Sequence, residues 1–200
     1  MEKETARIEA FSDGVFSIAI TLLILEIKIP PAGSGDLSRQ LLRQWPSYVA
    51  FVISFAFIGI MWINHHRLFT HIQRSNSALL FLNLLLLLGV TAVPFPTAVL
   101  ALHFGQSDQR AAAILYHGTY FAIAIFFNIL WRYANRYLLG KDADPSTADK
   151  ISAKYAVGPL LYLLCIALAW VNVPASLLVN VALAVFFALP PQRAWRAADK

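Results

Sequence analysis

Charged residues are scarce in this chain of 200 amino acids: Asp, Glu, Lys and Arg make up 14%, against 58% hydrophobic residues. A soluble domain carries more charge and less apolar content, so a soluble globular protein is excluded and an integral membrane protein is indicated. The mean hydropathy of +0.61 agrees. Cysteine occurs once, as Cys165 inside an apolar run, which excludes an intrachain disulfide and leaves no thiolate set for a metal. No paired carboxylates, nucleophile elbow or phosphate loop is present, so nothing recommends an enzyme and no cofactor is called for. Soluble domains, long linkers and low-complexity tracts are absent as well. No internal repeat is evident, which speaks against a transporter built from two matching halves. A single copy of each feature per chain suits assembly of several chains around an axis.

What is there is a series of long apolar runs. Reading runs of roughly 17–25 residues as spans predicts an all-α protein with six transmembrane helices. They fall at residues 8–29, 46–64, 79–102, 111–131, 156–171 and 175–189, in a single six-span domain over 1–200. The first run ends at Glu26, Lys28 and Pro30 without a small-residue cleavage site, so it reads as a retained span and not a signal peptide. Residues 36–44 form a short amphipathic piece with Leu37, Leu41 and Leu42 on one side, suited to the membrane interface. Pro94 and Pro96 kink or end the third span. The net charge of +5 is better understood from its distribution than as nucleic-acid affinity, and no nucleic acid is expected as a partner. Lys28, Arg39, Arg43 and Arg110 fall on one side of the predicted membrane and the other twelve basic residues on the opposite side. That asymmetry puts both termini in the cytoplasm of a multi-pass protein of the cell membrane. Trp45, Trp62, Trp131 and Trp170 lie near span ends, where interfacial aromatic belts form.

The first span begins with an unusual set of residues. Arg7, Phe11, Ser12 and Asp13 lead directly into the apolar run that follows Gly14. Charged groups near membrane depth are costly unless paired or hydrated, and they mark functional or assembly sites. Beyond them, Ile18, Leu22 and Leu25 share a helical stripe with Thr21 beside it, while Asp13 points about 140° away from Ile18 at ~100° per residue. Taken alone, the stripe fits plain packing on neighbouring helices. The order Arg-x-x-x-Phe-Ser-Asp on a first span resembles the potassium channels related to the endosomal and lysosomal channel called transmembrane protein 175, including their shorter prokaryotic members.

That resemblance implies a homotetramer in the lipid bilayer whose first helices line a central pore passing monovalent cations, with potassium as the preferred permeant. It also implies that Ile18, Leu22 and Leu25 form the constriction or gate and that the Thr21 hydroxyl bears on selectivity. A carbonyl filter of the Thr-Val-Gly-Tyr-Gly kind occurs nowhere in the chain. Narrow aliphatic rings act as barriers because they shed water, and they conduct when widened. The motif residues Arg7, Phe11, Ser12 and Asp13 are assigned a structural task, holding the pore helix by hydrogen bonds. Trp62, Asn64, His65 and His66, at a matching depth on the second span, are candidate partners. A direct role of Asp13 as proton carrier or cation ligand is the sharper alternative.

The other polar residues point less clearly. His65, His66 and His71 are spaced by one, five and six positions, unlike helical metal-ligand pairs at i,i+3 or i,i+4, so no metal site is expected. His103 and His117 are separated by a polar loop at residues 105–110 and cannot share a span. Asn83, Asn128 and Asn180 read as solitary intramembrane amides joining helices. Beside the channel stands a proton-coupled transporter or proton-conducting protein, with Asp13, Glu26 and His65 as relay groups. A membrane scaffold has no positive feature in its favour.

Overall fold

The computed structural model describes residues 5–33, 35–140 and 144–189. Among these, regular structure is helical apart from one isolated antiparallel bridge between Ile72 and Leu139. Helix α1 covers Ala6–Leu22 and continues as a tighter 3₁₀ turn over Leu23–Glu26. The short α2, Leu37–Arg43, buries no residue and is capped by Asp36, whose side chain accepts from Ser38 N at 3.0 Å. Then come α3 (Trp45–His71), α4 (Ser77–Ala92), α5 (Pro94–His103), α6 (Gln109–Tyr137), α7 (Pro145–Val171) and α8 (Val173–Ala188).

Among the described residues, five segments are long and apolar enough to cross a membrane: Ala6–Glu26, Trp45–His71, Ser77–His103, Gln109–Tyr137 and Pro145–Val171. The chain is therefore a multi-pass membrane protein, and α8 is a further apolar helix of 16 residues. The fifth predicted span starts too late. α7 has 27 residues and opens at Pro145, where Asp144 caps it through Ser146 N and Thr147 N. Hydrogen bonds from Thr147 and Ser146 hold the Asp144 carboxyl at about 2. Asp149, Lys150 and Lys154 in its first turns conceal this part of the helix from a reading based on apolar runs.

Pro94 and Pro96 divide the third predicted span into α4 and α5. Neither proline has an N–H to give the preceding turn, and the joint at Val93 remains helical. The Val90 carbonyl, which Pro94 cannot serve, accepts from Val93 N at 3.2 Å, and the Val93 carbonyl accepts from Thr97 N at 3.2 Å and from Thr97 Oγ1 at 2.8 Å. Gly89 lets α4 approach α6 closely: a Cβ there would stand 2.8 Å from Ile123 Cγ1.

Cross-helix contacts define the two ends of the bundle. At one end Trp62 of α3 meets Asp13 of α1, Asn76 before α4 meets Tyr133 of α6, and Lys154 of α7 meets Leu189 after α8. At the other, Trp45 packs edge-on against Phe104 with ring centres 5.5 Å apart, and Arg110 lies over Trp170. The first and last described residues, Thr5 and Leu189, thus share one end.

The terminus of α8 at that end carries carbonyls with no partner inside the helix. Cationic and amide side chains from two other helices satisfy them. Asn64 donates to Phe187 O at 3.2 Å, Arg67 to Ala188 O at 3.3 Å, and Lys154 to Phe187 O at 3.3 Å. Positive charge at a helix C-terminus is also favoured by the helix dipole.

Candidate functional site

α1 has two unlike faces. Ile8, Ser12, Phe16 and Ala19 are buried on the side of α1 that packs against α3 and α4, followed by Leu23 of the 3₁₀ turn, which packs against α3 and α5. This is the spacing of one helical stripe. Arg7, Phe11, Asp13, Gly14, Ser17, Ile18, Thr21, Leu22 and Leu25 are exposed on the subunit. Ile18 is 59% exposed, Leu22 42% and Leu25 64%. The stripe of large aliphatic side chains therefore lies opposite the packed face and is left open by the described residues.

The 3₁₀ turn alters the geometry of that stripe. In an α-helix Leu22 and Leu25 would be offset by about 60°, whereas at three residues per turn side chains i and i+3 eclipse. Because the helix tightens at Leu23–Glu26, Leu25 is drawn into line with Leu22. Thr21 Oγ1 donates its proton to Ile18 O at 2.9 Å. The exposed part of this hydroxyl is thus its lone pairs, which are acceptors.

The buried face of α1 is held by a directional chain of hydrogen bonds. Ser12 Oγ donates to Ile8 O at 2.8 Å and accepts from Asn83 Nδ2 at 3.0 Å. Asn83 Oδ1 in turn accepts from His65 Nε2 at 2.9 Å. The order of donors fixes the His65 tautomer with its proton on Nε2. Phe16 and Phe69 flank the His65 ring, with centroids 5.4 Å and 4.4 Å away. Ser12, His65 and Asn83 are all buried, so the chain joins α1, α3 and α4 where no water competes.

Asp13 lies outside this network. Its carboxylate is exposed on the subunit and accepts from Trp62 Nε1 at 2.8 Å. His66, also exposed, stacks on Trp62. Of the four candidate partners on the second span, the structure brings Trp62 to Asp13 and His65 to Ser12 through Asn83. Asn64 belongs to the α8 terminus instead. Arg7 and Phe11 face outward and take no part in the Ser12 chain.

Asn83 is the residue that sequence reasoning missed at this site. It was legible as an intramembrane amide, but its partners are 71 positions before it and 18 positions before it. Asn180 is likewise no solitary amide: its Nδ2 donates to His117 Nδ1 at 2.9 Å.

With this geometry in place, comparison with known proteins is informative. A family model described as "Endosomal/lysosomal potassium channel TMEM175" matches residues 7–94, which include α3, α4 and all but the first residue of α1. A potassium channel of Chamaesiphon minutus is 49% identical over 94% of this chain and 95% of its own length. A potassium channel of Streptomyces collinus is 46% identical over 92% and 91%. A crystal structure described as a lysosomal potassium-selective channel TMEM175 homolog from Chamaesiphon minutus superposes with a TM-score of 0.87, at 48% identity, over 94% of this chain and 98% of that one. These relatives are channels and not enzymes. Likeness of this degree, along nearly the whole of both chains, means that the chain belongs to the TMEM175 channel family.

Proposed function

We propose that the protein is a potassium-preferring cation channel in which the open faces of four α1 helices surround a central path. The observation that carries this reading is the uncovered stripe of Ile18, Leu22 and Leu25 on a helix whose other face is fixed by Ser12, Asn83 and His65. One subunit cannot enclose a path with that stripe, whereas copies of it around an axis stack three aliphatic rings. Its relatives named as potassium channels support potassium as the permeant. Thr21, with lone pairs facing outward, supplies the one hydroxyl layer among these rings.

In the membrane, α8 completes an even number of crossings and both termini lie in the cytoplasm. The end shared by Thr5 and Leu189 carries Arg7, Arg67, Arg74, Arg132, Arg136, Lys150 and Lys154, against Lys28, Arg39, Arg43 and Arg110 at the other. Such a bias favours the cytoplasmic side. Lys3, Lys141, Arg193, Arg196 and Lys200, which counted toward the same bias in the sequence, lie outside the described residues, as do the termini themselves.

The test is the reversal potential of the reconstituted protein between potassium and sodium solutions, with no pH gradient imposed. Passive current reversing on the potassium side supports the reading; flux that appears only with a proton gradient contradicts it. Thr21→Val keeps the size of the side chain and deletes its hydroxyl. It is expected to shift the reversal potential toward sodium while leaving the single-channel conductance close to that of the parent.

Asp13 and Arg7 are assigned to assembly in this reading. Both are exposed on the isolated subunit, so truncating Asp13 leaves no buried orphan within the chain. We expect Asp13→Ala to move the protein to smaller species on size-exclusion chromatography in mild detergent, with helix content unchanged. A stable oligomer altered in conductance alone would make Asp13 part of the ion path instead.

A further inference from the structure

The C-terminal end of α8 gathers positive charge from two other helices and leaves it in surplus. Arg67 of α3 and Lys154 of α7 bond the carbonyls of Phe187, Ala188 and Leu189. A helix C-terminus is equivalent to about half a negative charge, against two full positive ones here. Lys150 is exposed one helical turn before Lys154 on the same side of α7. Like charges at i,i+4 repel, so this third cation adds to the surplus.

No acid among the described residues answers it. Neither Arg67 nor Lys154 forms an ion pair there. The carboxylates at this end are committed elsewhere: Glu9 accepts from Thr5, Asp13 from Trp62, and Asp144 from Ser146 and Thr147. Asp149, five positions before Lys154, is turned about 140° from it at ~100° per residue. In the sequence beyond Leu189, residues 190–198 hold two arginines and no acid. Donors also remain. Arg67 gives α8 one of its five N–H groups and Lys154 two of its three.

The depth of these cations indicates where the missing anion comes from. Trp45 and Trp170 belong to the opposite end of the bundle. At 1.5 Å per residue, Arg67 stands about 33 Å from Trp45 along α3, and Lys154 about 24 Å from Trp170 along α7. The hydrocarbon layer of a bilayer is ~30 Å thick. Arg67 therefore reaches the headgroup layer, and the stem of Lys154 carries its ammonium the rest of the way. Next to it the surface is apolar: Val157, Leu160 and Leu164 of α7 and Val185 and Phe186 of α8 are exposed. The Lys154 ammonium itself lies 5.6 Å from the centre of the Phe186 ring.

A soluble phosphate would meet the cations and leave this apolar surface bare. A zwitterionic lipid would cover the surface but bring a cation of its own to a positive site. An anionic phospholipid does both, and basic clusters at the ends of membrane helices take such headgroups. We propose that the α8 terminus is a binding site for an anionic phospholipid, its phosphate held by Arg67 and Lys154 beside Lys150 and its chains lying along α7 and α8.

A ligand that binds the folded state raises the melting temperature. The full chain in mild detergent would be titrated with phosphatidylglycerol, with phosphatidylcholine of the same chains, and with inorganic phosphate. Phosphatidylglycerol is expected to raise the melting temperature at a several-fold lower concentration than phosphatidylcholine, and phosphate to leave it unchanged. Arg67→Gln and Lys154→Gln should each remove that preference. Both residues also cap α8, so Lys150→Gln, which removes no cap, carries the test if they fail to fold; it should weaken the phosphatidylglycerol response several-fold. Arg136→Gln removes the same charge from exposed α6 surface at this end and should leave the response intact. Equal effects of Lys150→Gln and Arg136→Gln would overturn the proposal in favour of diffuse attraction to a basic surface. Equal titration by the two lipids would overturn it by showing that chains alone are held. A rise produced by inorganic phosphate as large as that from the lipid would make this a site for soluble anions instead.

Discussion

Ile18→Ala is expected to raise the passage of sodium and larger cations relative to potassium several-fold and to increase current at a given voltage. The change removes most of the aliphatic side chain from the ring nearest the Ser12 anchor. A constriction that excludes ions by dewetting re-wets on modest widening, so barrier and size sieve weaken together. The subunit itself should tolerate the change. Large-to-small substitutions cost stability chiefly through the cavity they leave in a packed interior, and Ile18 is 59% exposed on the chain. Phe16, two residues earlier and 1% exposed, is the proper contrast: Phe16→Ala should cost about 3–5 kcal/mol and lower the yield of folded protein. If Ile18→Ala assembles normally yet retains the parent's conductance and selectivity in bilayer recordings, this face of α1 is not the ion path.

Much of this architecture was legible because the membrane simplifies it. Apolar runs located the first four spans, since a helix in lipid must be both long and uniformly apolar. α7 escaped in part because its first turns lie at the polar boundary, where Lys154 bonds the end of α8 and does not face lipid. The stripe on α1 followed from helical periodicity, but its straightening at Leu25 did not, because a 3₁₀ turn has no marker in residues 23–26. The partners of the motif were half legible. Trp62 and His65 stand three residues apart and share a face, whereas Asn64 and Arg67 form a second pair on another face. That spacing separates the residues facing α1 from those capping α8, and depth alone does not. Asn83 was beyond reach, since nothing local distinguishes an amide facing α1 from one facing α6.

Asn83 should consequently be the most sensitive polar position of the described chain. Asn83→Leu keeps approximate size but leaves the buried His65 Nε2–H without its acceptor and Ser12 without its donor. An orphaned buried group costs about 1–3 kcal/mol, while interhelical hydrogen bonds in membranes average only about 0.6 kcal/mol because displaced groups find other partners. The two figures predict different results here. His65 is flanked by the rings of Phe16 and Phe69 and bonds no acceptor other than Asn83 among the described residues, so the larger cost applies and the melting temperature should fall by several degrees. Ser12→Ala removes the acceptor of one amide proton and one donor to Ile8 O, a carbonyl that already lies within the helix, and should fall less. Replacing both members of the buried pair, as His65→Phe with Asn83→Leu, leaves no unpaired donor and should recover much of the loss. A double-mutant cycle on thermal unfolding in detergent reads this directly, since coupling between the two sites must be large if the chain of bonds fixes α1. Strict additivity would show that the apolar contacts of Phe16, Ala19 and Leu23 hold the helix without it. In that case the position of Ile18 would rest on packing alone, and Asn83→Leu would leave ion selectivity where it was. If the bonds do hold the helix, selectivity should degrade in Asn83→Leu along with stability, because the ring at Ile18 begins less than two turns beyond Ser12.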